Sequence, residues 1–184
     1  MIDANVVFWA FVILISFFGS NRGWIREVIV SFSMVFAIFA IRQLFTVQVV
    51  NDFSDAFTSP MSKWAIRAVP FIVITIFGYL GPTMARGRSE SNLRGRFEEG
   101  ILSLLLGALN GYLLFSSLAW FAAEAGILGR GDWSYGGTIL FRQPEKSTWQ
   151  EIFFIKYAAI AYLHGTTLVF VLILLVLFVL VVVI

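Results

Sequence analysis

The sequence predicts an all-α fold, a polytopic integral membrane helical bundle with about five transmembrane helices. Three observations lead there. Of the 184 residues, 59% are apolar and only 13% charged, at a mean hydropathy of +0.88, whereas a soluble chain is about a quarter charged. The apolar residues gather into stretches near the ~20 positions that cross about 30 Å of hydrocarbon. Trp24, Trp64, Trp120 and Trp149 fall near the ends of those stretches, the depth at which tryptophan partitions into the interface.

Residues 4–21 carry no charge and make a first span. No basic segment and no small-x-small cleavage site mark it as a removable signal, so it is expected to be retained. Residues 24–45 make a second, but only 28–41 are free of charge. A crossing there requires Arg26, Glu27 and Arg42 to sit at the interfaces, with the arginines snorkelling. Residues 46–63 are partly apolar and read as a loop with an amphipathic turn in the headgroup layer. Residues 64–83 give a third span, in which Arg67 is one turn from the start and within reach of phosphates. Pro70 either kinks that helix or sits in its first turns.

The most charged segment, 85–100, precedes a charge-free fourth span over 100–123 that ends at Glu124. A polar extramembrane loop, 129–151, follows. From 152 to 184 the chain is apolar again. Its 28 uncharged residues from Tyr157 onward would make a single helix of about 42 Å. The expectation is that the part before Gly165 lies at the interface and the rest crosses. Four spans result if the second is re-entrant. Basic residues divide almost evenly between the two sides. The short arginine-dense loop at 86–96 favours an outside N-terminus and an inside C-terminus, because short loops weigh most.

Composition also excludes function classes. Thirteen basic and eleven acidic side chains leave a net charge of +2 with no polybasic run, so no nucleic-acid partner is expected. With no cysteine there are no disulfides or thiolate metal sites. Phosphate-binding loops, dinucleotide fingerprints and His/Glu metal motifs are missing from the sequence. No catalytic residue, metal site or cofactor is assigned, and the chain is expected not to be an enzyme.

Three groups of residues stand out. "GSNRGWIREV" places Gly19, Arg22, Gly23, Arg26 and Glu27 between the first two spans. It reads as a tight turn with arginines at phosphate level, or as a contact surface in which Glu27 pairs with an arginine from another loop. On the fourth span Ser103, Gly107 and Gly111 recur every four residues with Asn110 alongside. Small residues and one amide are how helices join in lipid, within one chain or between chains. A polar path lined by Asn110, Ser116 and Ser117 is the third reading. His164, the single histidine, is a helix-bonded or interfacial side chain, or an axial ligand of the haem type, or part of a polar path.

The run Gly19, Arg22, Gly23, Glu27 after an N-terminal apolar helix resembles the G-x-x-R-G-x-x-x-E signature of the colicin V production protein (CvpA) family. "RFEEGILSLLLGALNGYLLFSS", with Gly107 and Gly111, resembles that family's later glycine-rich helix. The resemblance covers roughly residues 1–128 and implies a four-helix membrane domain there. It also implies a multi-pass protein of the bacterial inner (cytoplasmic) membrane, connected with export and envelope homeostasis. Residues 152–184 then add an interfacial and transmembrane helix, which points to an accessory or assembly subunit. The expected partners are membrane lipid and other membrane-protein subunits or a second copy of the chain. The alternative is a small channel or transporter component.

Overall fold

The structure is a computed structural model that describes residues 4–45, 59–80, 93–125, 127, 133–135, 138–141, 158, 160, 163 and 165–183. Five helices account for nearly all of them: α1 (Ala4–Ser20), α2 (Trp24–Leu44), α3 (Pro60–Leu80), α4 (Leu93–Glu124) and α5 (Gly165–Val183). Three are long and apolar enough to cross a membrane: α2, α3 and the Glu98–Glu124 part of α4. Val6–Ser20 and Gly165–Phe178 are shorter apolar helical stretches. The chain is thus a multi-pass membrane protein, and its second span is a continuous 21-residue helix.

Local chemistry sets the helix limits. α1 closes when the Arg22 amide donates to Gly19 O at 3.0 Å, while the Ser20 hydroxyl donates to Phe17 O at 2.7 Å. Gly23 then takes φ +91° at the N-cap of α2, a conformation that disfavours any Cβ. α3 starts on Pro60, where a missing N–H and a preset φ suit the first helical position. Pro70 lies in mid-helix, yet α3 runs on to Leu80; such prolines are tolerated where neighbouring helices re-satisfy the freed carbonyl. α4 begins earlier than the charged sequence implied, with "LRGRFEE" already helical. Arg94 and Glu98 are spaced i, i+4, and both are good helix formers.

The helices alternate in direction. Phe8 of α1 meets Tyr112 and Phe115 of α4, and Gly19 at the other end of α1 meets Ser103 and Gly107, so these two run antiparallel. Trp64 near the start of α3 donates to Leu118 O near the end of α4 at 3.2 Å. Gly78 near the end of α3 lies on Val30 and Ser33 near the start of α2. One end of the bundle therefore gathers the α1–α2 turn and both limits of the 81–92 connection. The other gathers the end of α2, the start of α3 and the end of α4.

The main core lies among α2, α3 and α4, around Met34, Ile38, Phe71, Leu113 and Phe121, with Leu168 of α5 added. Ala158 and Ile160 are buried in the same core, so these two pack against the bundle. Outer faces carry many exposed apolar side chains, as with Val69, Val73 and Phe77 of α3. Within the 129–151 loop the structure adds an antiparallel hairpin, β1 (Trp133–Tyr135) with β2 (Thr138–Phe141), which the sequence reading had not foreseen.

Candidate functional site: a buried polar junction of α1, α2 and α4

Two of the residue groups singled out from sequence converge at one place. α1 and α4 touch backbone to backbone along a seam of glycines. A Cβ built on Gly107 would lie 3.0 Å from Ser16 Cα and 3.1 Å from Gly19 Cα. One on Gly111 would lie 3.1 Å from Val12 Cα, and one on Gly19 would lie 2.8 Å from Gly107 Cα. Ser16 adds a hydroxyl bond to Leu104 O at 2.8 Å. Helices approach this closely in lipid only where side chains are reduced to hydrogen or a small polar group.

Beside that seam α2 inserts Glu27, which is 1% exposed. Its side chain turns into the bundle, where a Cβ on Gly19 would stand 3.3 Å from its carboxyl carbon. Among the described residues its hydrogen-bond partner is an amide from α4. Asn110 of α4, fully buried, donates through Nδ2 to Glu27 Oε2 at 2.8 Å and to Glu27 O at 2.9 Å. Ser31, one turn along α2, donates to Asn110 Oδ1 at 2.6 Å. These bonds hold α2 and α4 in one register, because sliding by a residue would break them all. Glu27 Oε1 is buried and meets no donor among the described residues.

The remaining members of the turn sequence disperse. Arg22 is exposed and holds its guanidinium 4.7 Å from the centre of the Tyr79 ring of α3. Tyr79 lies within electrostatic range of both Arg22 and Glu27, which places the three side chains at one end of the bundle. Gly23 serves as the N-cap and Arg26 faces outward. Ser103 is buried on the seam and donates to Glu99 O of its own helix at 2.7 Å. His164 lies outside the described residues.

At the opposite end two arginines have protein partners. Arg42 donates to Ile160 O. Arg67 lies 5.0 Å from the Phe45 ring centre and pairs with Glu124 at 3.7 Å.

Sequence reading missed Ser16, Ser31 and Thr75, all buried. Ser16 stands three residues before Gly19 and Ser31 four after Glu27. Helical spacing from residues already singled out could have found both. Further along α4, Ser116 and Ser117 are buried, and neither hydroxyl meets a partner among the described residues. Among those residues, no three His, Cys, Asp or Glu side chains come together as a metal-binding group. Comparison of the chain with family models, with curated proteins and with solved structures gives no match.

Proposed function

We propose that this chain is a non-enzymatic subunit that assembles in the plane of a bacterial inner membrane, with larger membrane proteins or with further copies of itself. The observation that carries the reading is the division between interior and exterior. Inside, glycines bring α1 and α4 into backbone contact, and the amide of Asn110 is committed to Glu27 and Ser31. Outside, α1 and α5 expose large apolar side chains, including Phe11, Phe17, Phe170 and Leu177. A tightly locked interior leaves the lateral surface as the part free to interact. Likeness to the colicin V production protein family at Gly19, Arg22, Gly23, Glu27, Gly107 and Gly111 supports the same reading.

The bundle also favours one orientation. Arg22, Arg26 and both limits of the connection carrying Arg86 and Arg88 belong to one end. At the other end Arg42 and Arg67 are engaged by Ile160 and Glu124. The end with the short arginine-dense connection is the one taken to stay inside under the positive-inside rule.

Native mass spectrometry from lipid nanodiscs, with an absorption spectrum of the same fraction, tests the assembly reading. A particle at a fixed multiple of 20.7 kDa, or in fixed ratio with a second membrane subunit, is the expected result. A colourless monomer at every lipid ratio overturns it.

The second reading, a small channel or transporter component, draws on the buried hydroxyls of Ser116, Ser117 and Thr75 beyond Asn110. Polar groups from several spans are what a pathway requires. Ion flux into liposomes that Asn110→Leu abolishes would favour this reading over the first.

A further inference from the structure

Several hydroxyls inside this bundle satisfy themselves on their own helix. Ser33 donates to Ile29 O at 2.9 Å and Ser103 to Glu99 O at 2.7 Å, each to the carbonyl four residues back. Thr75 of α3 and Ser117 of α4 do not. They are 3% and 0% exposed, and neither hydroxyl meets a partner among the described residues. A hydroxyl buried without a partner is costly, and turning it onto its own helix is the simple remedy. Both side chains forgo it.

The two lie at one level. Phe71 of α3 and Phe121 of α4 meet edge-on at 5.7 Å between ring centres. α3 and α4 run in opposite directions, so Thr75 and Ser117 each stand one turn deeper than that pair, on the same helix faces. α2 closes the remaining side. Gly78, three residues past Thr75, lies on Val30 and Ser33, and Met34 and Ile38 are fully buried in the same core. All three helices are described along the whole of this level.

The spacing on α4 marks the same place. Ser103, Asn110, Ser117 and Glu124 recur every seven residues and so share one face of the helix. Asn110 is bound by Ser31 and Glu27, and Glu124 by Arg67. Ser117 is the member left without a partner among the described residues.

We propose that Thr75 and Ser117 hold an internal water molecule between α3 and α4. Each hydroxyl can both donate and accept, and a buried water binds about two to four such groups. Ser116, the other unpartnered serine of α4, is about 100° round the helix from Ser117 and takes no part. The water does for α3 and α4 what Asn110 does for α2 and α4: it fixes their relative depth where an apolar contact alone would let them slide. It spans two side chains too short to reach each other. The site belongs to the three-helix core and holds whichever assembly the chain enters.

Solid-state magnetic resonance of the full wild-type chain in lipid bilayers, with magnetisation started on water, reads the site without any substitution. Magnetisation is expected to reach Thr75 and Ser117 before Phe71 and Phe121, although the phenylalanines are one turn nearer the membrane surface. Arrival at Thr75 and Ser117 no earlier than at the phenylalanines overturns the proposal. Unfolding from mixed micelles gives a second readout, with Thr75→Val, Ser117→Ala and the double variant. Each single variant is expected to lower the folding equilibrium constant about fivefold, the worth of one hydrogen bond. The double variant should fall no further, because both hydroxyls bind the same water. No loss in either single variant, or losses that multiply in the double, overturns the proposal.

Discussion

The α1–α4 seam and the α2–α3–α4 core solve one packing problem by opposite means. In the seam the contact atoms are backbone: Gly107 on Ser16 and Gly19, Gly111 on Val12. In the core they are large side chains, with Phe71 packed edge-on against Phe121 at 5.7 Å between ring centres. A backbone contact has no rotamer to adjust, so added volume must move a whole helix. Side-chain contacts give way locally and lose energy in proportion to what is removed. The seam should thus be intolerant of addition and the core sensitive to deletion.

The largest effect is expected from Gly107→Val. Its branched side chain would fall on Ser16 Cα and Ile15 O, both already 3.0–3.1 Å from a Cβ at that position. Because the chain has no cysteine, Phe11→Cys with Phe115→Cys, whose rings stack at 4.4 Å between centres, reports the α1–α4 contact by oxidative cross-linking. The cross-link should be abolished by Gly107→Val. Phe71→Ala comes next, losing about 3 kcal/mol in reversible unfolding from mixed micelles while leaving that cross-link intact. A cross-link lost to Phe71→Ala would show that seam and core are one cooperative unit.

Ser31→Ala removes the hydroxyl bound to Asn110 and is expected to lose about 1 kcal/mol in the same unfolding assay. Gly23→Ala meets no atom within 4 Å but keeps φ +91°. Its loss, about 1 kcal/mol, is conformational strain alone, and a stability equal to wild type would mean the turn readily adopts another path. Smallest is Arg67→Ala, whose partner Glu124 is 46% exposed. It should change stability by about 0–1 kcal/mol, less at high salt.

Much of this architecture was legible because apolar length and charge placement are strong signals in a membrane chain. The limits of α1, α2 and α5 lie within a residue or so of the expected ones. Early helix in α4 was obscured by treating charge as the sign of a loop, although Arg94 and Glu98 are spaced as helical neighbours. The hairpin was overlooked for a different reason. "WSYGGTILF" places β-favouring residues on both sides of Gly136-Gly137, a hairpin signal that a polar reading of the loop hid.

For the site, sequence identified Gly19, Glu27, Gly107 and Asn110 but kept them in separate groups. Nothing in one sequence says which helices are neighbours, so the meeting of the α1–α2 turn with the middle of α4 became visible only in three dimensions. Glu27 also illustrates a limit of hydropathy. A window average treats a charge near a span end as bound for water, and direction around the helix is lost in the average.

The seam has a consequence for how the chain is made. α1 emerges from the ribosome first, but the helix it fits begins at Leu93, after α2 and α3 have been synthesised. Its glycine face has little to rest on meanwhile, since α1 packs chiefly on α4 and only slightly on α2. Until the fourth helix inserts, α1 is held only by the tight turn that joins it to α2. During that interval its small-residue stripe is open to other proteins, and α4 closes it when it arrives.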